Sequence, residues 1–288
     1  MRDIPTSPRA IAIKRARRIK KIRLVVLLFL LLTAIIFALS FFSSEKHITI
    51  DSVVVTGNHI IDSDDIEAKV EQYISGKYIY LFSKANSFIY PHDKIYKNLL
   101  LDFPRIKTLS VSRDNLKTLH ISITERVGSY LYCGSAIPES KDDIGENCYF
   151  INNDGFIFDK APYFSGNVYF KYYMDIGIGD ANPQAKQMLS EEKFHKLANL
   201  VDGVTYLGFK PIYILTDNTG TNYLYLDHEV NSTAPYITFK NDDDFDEILE
   251  NISVAMKKKE FADDINSKYN TLLYIDLRFK DKVLYKFQ

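Results

Sequence analysis

The alternation of apolar and polar positions changes period along the chain. Leu24 to Phe42, LVVLLFLLLTAIIFALSFF, is an unbroken apolar run with no charge, Gly or Pro, and only Thr33 and Ser40 carry hydroxyls. As a helix it would span roughly 28 Å, close to the ~30 Å hydrocarbon core of a bilayer. A helix also satisfies its own backbone hydrogen bonds in lipid. We therefore expect a transmembrane helix over residues 24–42. A cleaved signal peptide is the competing reading, and Ala38-Leu39-Ser40 has small residues of the kind a cleavage site uses. A signal core covers only ~7–15 residues, whereas this run is longer and follows a long basic head, so we expect it to be retained.

Beyond the run, ITIDSVVVTGNH reads as a strand closed by a turn at Gly57-Asn58. DSDDIEAKVEQYI follows with helical spacing at Ile66, Val70, Tyr73 and Ile74, with Asp62 or Ser63 as cap and acids in the first turn. SGKYIYLFS reads as a connector with buried aromatics. Pro91-His92-Asp93 opens a second helix whose Ile95, Leu99 and Phe103 share a face, and Pro104 stops it. IKTLSVSR and LKTLHISITER alternate as strands around Asp114-Asn115. Strand, helix, helix, strand, strand predicts a small α+β module with two helices on a three-stranded sheet.

From Val127 on, strand patterns dominate. VGSYLYC and CYFINNDGFIFDK flank a strong turn signal at Asn153-Asp154-Gly155, and NVYFKYYMDIGIG is an aromatic strand region. SEEKFHKLANLVDGVTYLG is helical, with Phe194, Leu197, Leu200 and Val201 on one face. A hairpin around Asp217 to Gly220 and the strand APYITFK precede a long helix, FDEILENISVAMKKKEF, capped by Asp242 to Asp244. Two strand-like runs in LLYIDLRFKDKVLYKFQ, joined at Lys280-Asp281-Lys282, close the chain.

Charge fixes a direction. Residues 1–23 carry nine of the 36 Lys and Arg but only one of the 37 acids, Asp3. Basic flanks stay cytoplasmic, which places residues 43–288 outside. The net charge of −1 hides this split, because the outer part is acidic. The head lacks aromatic interleaving, so a topology signal and anionic-lipid contact account for it and nucleic acid is not expected as a partner. With 20 Tyr, 19 Phe and no Trp, the outer part favours pleated, half-buried surfaces. Its two cysteines, Cys133 and Cys148, bracket a polar loop in a compartment where disulfides persist. We expect a structural disulfide there rather than a metal site.

Catalytic patterns are missing. His228-Glu229 lacks the second histidine of H-E-x-x-H, since Ser232 occupies that place, and no G-x-S-x-G or phosphate-binding glycine loop occurs. Asp242-Asp243-Asp244 lacks the spacing and Gly of a calcium loop. His47, His59, His92, His120, His195 and His228 are scattered. No enzyme, catalytic residue, metal or cofactor is expected.

Val53, Val55, Gly57 and Asn58, then Phe103, Pro104 and Ile106, then Val111, Ile121, Ile123, Glu125 and Arg126, form a pattern that resembles a POTRA domain. A POTRA domain directly after one membrane helix resembles the bacterial division family FtsQ, also called DivIB. The strand–D-G–strand unit and the terminal Tyr274-Ile275-Asp276-Leu277-Arg278-Phe279 are similar to that family as well; the Cys133–Cys148 loop looks like an insertion. The resemblance implies an α+β chain with a cytoplasmic basic head (1–23), a transmembrane helix (24–42), a POTRA domain (47–126) and an FtsQ-type β-domain (127–288). It further implies that partner division proteins of the FtsB/DivIC type, with FtsL-like proteins in the same complex, join the last strand. That surface would be Phe279, Lys280, Asp281, Lys282, Val283, Leu284, Tyr285, Lys286 and Phe287. The alternative is a membrane-tethered POTRA protein of secretion or envelope assembly.

Overall fold

A computed structural model describes residues 8–138, 147–179, 181–228, 234–280 and 282–288. Two compact units divide at residues 125 and 126.

The first unit begins with α1 (Pro8–Ser43), one helix that continues from the basic head through the apolar run. Residues 17–43 are long and apolar enough to cross a membrane, and the most apolar 18-residue stretch within them is not buried by the protein. The apolar stretch is apolar on all sides, which suits a non-aqueous surrounding, and among the described residues only the last turn of α1 is bonded to the module that follows.

The module that follows holds β1 (Ser52–Thr56), α2 (Ser63–Ile74), the short β2 (Lys77–Tyr78) and β3 (Phe82–Ser83), α3 (His92–Asp102), β4 (Ile106–Arg113) and β5 (Thr118–Glu125). The main sheet has the order β1-β5-β4. β1 runs parallel to β5, with Val55 opposite Ile121, and β4 is antiparallel to β5. Leu119, Ile121 and Ile123 alternate inward from β5 onto Ile66, Val70 and Ile74 of α2 and Ile95 and Leu99 of α3. Asp62 caps α2 by accepting from the Asp64 N–H.

The two ends of this module are clasped together. Gly57 adopts φ +82°, and a Cβ there would lie 2.1 Å from the Ile123 carbonyl oxygen, so only glycine fits. Just beyond, the backbone N–H groups of His59, Ile60 and Ile61 all donate to the Glu125 carboxylate at 2.7–3.1 Å. The sequence pattern V-x-G-N and the terminal T-E are thus two halves of one lock.

The connector SGKYIYLFS departs from expectation. It is a hairpin of β2 and β3, with Lys77 opposite Ser83 and Tyr78 opposite Phe82. Tyr78 and Phe82 are half-buried, but Tyr80 is 95% exposed and Ile79 83%. Both tip residues have positive φ, 49° and 61°, which turns their side chains away from the core. Phe103, expected to share the buried face of α3, caps its end half-buried.

The second unit is built on one ten-stranded sheet. In chain order its elements are β6 (Tyr130–Tyr132), β7 (Tyr149–Ile151), β8 (Phe156–Lys160), β9 (Lys171–Tyr173), β10 (Lys186–Gln187), α4 (Glu191–Tyr206), β11 (Pro211–Thr216), β12 (Thr221–Leu226), β13 (Tyr236–Lys240), α5 (Phe245–Lys257), α6 (Lys259–Lys268), β14 (Leu272–Asp276) and β15 (Leu284–Phe287). The spatial order is β10-β8-β7-β6-β9-β11-β12-β13-β14-β15. With an apolar N-terminal helix and a three-stranded α/β module ahead of it in the sequence, the chain is α+β overall.

Two registered rows organise this sheet. Ile214, Leu224, Ile237 and Ile275 lie side by side on successive strands and are almost wholly buried. They form one core with Phe194, Leu197 and Val201 of α4, Ile248 and Ile252 of α5, and Phe261 and Ile265 of α6. One residue away, and so on the opposite face, Tyr213, Tyr225, Tyr236 and Tyr274 make a second row. Their rings touch in sequence, at centroid distances of 4.7, 5.7 and 6.1 Å. Cross-strand aromatic pairs of this kind stabilise a sheet beyond their buried area.

Helix α4 meets α5 at Gly203, where a Cβ would fall 2.5 Å from the Leu249 methyls. The long helix expected over Phe245 to Phe261 is two helices instead. Lys258 takes an extended conformation (φ −77°, ψ 118°) and redirects the chain, so that Phe261 and Ile265 of α6 reach the core. Three consecutive lysines at the break favour the negative C-terminal end of α5.

Candidate partner-binding edge

β15 is the last strand of the sheet, with β14 on one side and no strand on the other among the described residues. An unpaired edge offers backbone N–H and C=O groups to an added strand. The chain reaches this edge through a local clasp. Arg278 donates from Nε to Asp276 Oδ1 (2.9 Å) and from Nη2 to Oδ2 (2.6 Å), and its backbone N–H donates to Oδ1. Asp276 is buried. Burial works to raise its carboxyl, but the bonds from Arg278 outweigh this and hold it below the usual carboxylate range. The Tyr274 to Phe279 motif thus has a structural meaning: Asp276 ends β14, and the arginine two residues later fixes how the chain leaves it.

From there the chain turns, with the Lys282 N–H donating to the Phe279 carbonyl, and pairs back as β15. Tyr285 stands opposite Ile275, Lys286 opposite Tyr274 and Leu284 opposite Asp276. Each sheet row therefore ends on this strand. The buried aliphatic row ends in Tyr285, whose ring packs edge-on against Phe261 at 4.8 Å and whose hydroxyl donates to Asp264 at 3.3 Å. Phe287 packs beside Tyr285, with the Lys268 ammonium 5.5 Å from its ring centre. The tyrosine row ends in Lys286, which is exposed, as is Leu284 on the same face.

Of the nine residues expected at the surface, Val283, Tyr285 and Phe287 form the half-buried side of the edge, Leu284 and Lys286 the open side, and Phe279, Lys280 and Lys282 lie exposed on the turn. Asp281 lies outside the described residues. Tyr285 is tied to α6 and belongs as much to the fold as to the edge, whereas Leu284 has no such internal role. Beside the half-buried side runs a groove of about 240 Å3 whose lining mixes apolar Val254, Phe261, Val283 and Tyr285 with polar residues that include Lys258 and Glu260. Sequence reasoning missed Val254 and Phe261 here, because their place beside β15 depends on the α5–α6 break.

Cys133 and Cys148 are disulfide-bonded, with Cα atoms 4.2 Å apart. They extend the β6–β7 ladder by one rung beyond the pair Tyr132 and Tyr149. Among the described residues one trio of metal-competent side chains converges, Asp154, Glu191 and His195. It sits at the surface, where Asp154 already accepts from the Asn152 amide at 2.9 Å. A structural zinc site needs a fourth ligand.

Residues 48–126 match the family model of the POTRA domain, FtsQ-type. No curated protein matches the chain. The match covers β1 to β5 and includes the Gly57–Glu125 lock. The chain thus carries an FtsQ-type POTRA domain behind an N-terminal apolar helix of a length compatible with single-pass anchoring, an arrangement consistent with the FtsQ/DivIB family.

Proposed function

We propose that this chain is a non-catalytic, membrane-anchored scaffold of the bacterial divisome. Its head lies in the cytoplasm, residues 24–42 cross the cell (inner) membrane, and the remainder stands outside at the division septum. There it binds FtsB/DivIC-like and FtsL-like partners and helps control septal wall synthesis. Partner binding proceeds by strand addition to β15, with main-chain bonds supplying affinity and alternate side chains supplying selectivity. The observation that carries this reading is the position of β15 at the open end of the sheet. The exposed Leu284 and the groove on the opposite side of the strand would receive alternate side chains of the incoming segment.

The test uses the full chain in lipid nanodiscs with the outer segments of the partner proteins. Leu284→Asp is expected to weaken capture at least tenfold while leaving near-UV circular dichroism intact, because Leu284 is exposed and lies outside the apolar core. Unchanged capture by a folded Leu284→Asp protein would remove β15 as the binding edge.

A further inference from the structure

The most exposed large apolar side chains of the POTRA domain sit together on the strained tip of the β2–β3 hairpin. The Leu81 N–H donates to the Tyr78 carbonyl at 2.9 Å, closing a turn whose central residues are Ile79 and Tyr80. Both have positive φ, which Asn-Gly normally supplies at such a turn. A β-branched residue there is a true outlier. The sequence thus accepts backbone strain while showing two apolar side chains to solvent, and neither contributes to the domain core.

The location of the hairpin gives the reason. The Ser83 N–H donates to Ser43 Oγ at 3.0 Å, and the Leu81 carbonyl accepts from Ser40 Oγ at 2.7 Å. Asn86 adds a bond to the Ser43 carbonyl. Stepping from Ser43 to Ser40 moves ~4.5 Å along α1 toward the middle of its apolar run. Stepping from Ser83 to Leu81 moves the hairpin ~6.6 Å the same way. The tip beyond Leu81 therefore lies level with Ser40 or deeper, inside the stretch Leu24–Phe42 that the bilayer covers. The tip carries no charge, while Lys77 stands at its open end. Tyrosine is a residue of membrane–water interfaces, where its ring is shielded and its hydroxyl stays wet.

We infer that the β2–β3 hairpin is a second membrane contact, with Ile79 and Tyr80 inserted at the headgroup–acyl boundary beside α1, so that the POTRA domain is held against the lipid surface instead of swinging on a free linker. This rests on α1 spanning the bilayer. Unlike the helix, the hairpin fixes orientation: three side-chain bonds and two apolar tip residues allow one face of the domain toward the membrane.

The test places an environment-sensitive nitrobenzoxadiazole label in the full chain, reconstituted in phosphatidylcholine–phosphatidylglycerol vesicles. Cys133 and Cys148 are bonded to each other, so a single added cysteine takes the label. Ile79→Cys is compared with Leu32→Cys in the helix and with Ile60→Cys, an exposed position beyond the far end of β1. The label at 79 is expected to emit at shorter wavelength than that at 60, to be quenched by doxyl-labelled lipid, and to be several-fold less accessible to iodide. Tyr80→Cys, read in the same way, guards against a local misfold of the hairpin. If labels at 79 and 80 both behave like that at 60 while the label at 32 is in hydrocarbon, the hairpin contact is wrong and the anchor stands. An aqueous label at 32 would overturn the anchor and the hairpin contact with it. Protection at 79 that appears only when a partner protein is added would replace lipid by protein as the occupant.

Discussion

Glu125 shows how one residue can carry a fold signature. Burial works to raise its carboxyl, but the N–H groups of His59, Ile61 and Ile60, with the charge of Arg105, outweigh it and leave the group below its ordinary value. A carboxylate with a lowered pKa stabilises the fold at pH above its unfolded value, and that contribution is lost as pH falls through the folded value. Glu125→Gln should cost about 1.5–3 kcal/mol at neutral pH, the range for hydrogen bonds to a charged group. The gap between the two proteins in thermal or urea unfolding should then close as pH falls below about 4.5, the unfolded reference. A gap that stays constant through acid would show that the carboxylate charge is not what holds the loop. In sequence, Gly57 and Glu125 read as a turn glycine and a strand end. Their partnership was invisible there because it needs β1 parallel to β5, a pairing between residues far apart in the chain.

At the scale of elements, the tyrosine ladder has its own pH behaviour. Burial, then the neighbouring Tyr225 and Tyr173, push the Tyr213 hydroxyl up to about 12. Burial alone does the same for Tyr173, to about 12. A raised tyrosine pKa favours the fold fully below about pH 10, the unfolded value, and the benefit disappears as pH rises through the folded value. Ultraviolet titration should therefore show a class of tyrosines that ionise only near pH 12, together with the loss of near-UV signal. Ionisation of all tyrosines near pH 10 with the fold intact would contradict a packed ladder. The disulfide is the other element-level device. Its sequence separation of 15 residues corresponds to about 3 kcal/mol in the chain-entropy model, so reductant should lower the melting temperature of the second unit by several degrees. No change in melting after complete reduction, confirmed by alkylation mass, would mean that the β6–β7 pairing needs no staple.

Element types were largely legible because periodicity is local. The apolar run, the caps at Asp62 and Asp244, and the alternation in β5 are each set by neighbours in sequence. Two local readings failed for physical reasons. Helical composition continues through Lys258, yet the chain breaks there so that Phe261 and Ile265 can reach the core. The apolar residues of the β2–β3 hairpin resemble core residues, but the positive φ of Ile79 and Tyr80 sends these two outward while Tyr78 and Phe82 stay half-buried.

For the whole molecule, the strand order β10-β8-β7-β6-β9-β11-β12-β13-β14-β15 is what turns a list of strands into a binding proposal. Periodicity cannot supply it, because parallel neighbours such as β13 and β14 are separated by two helices. Only that order makes β15 an edge and gives Leu284 and Lys286 to solvent on one face and Tyr285 to α6 on the other. Amide hydrogen exchange on the full chain in nanodiscs, with and without the FtsB/DivIC-like outer segment, tests this most directly. An added strand would slow exchange within Leu284–Phe287, whose outward N–H groups gain partners, while α4 on the helical layer keeps its rate. A complex that forms without any change in exchange at β15 would contradict strand addition and move the binding surface elsewhere.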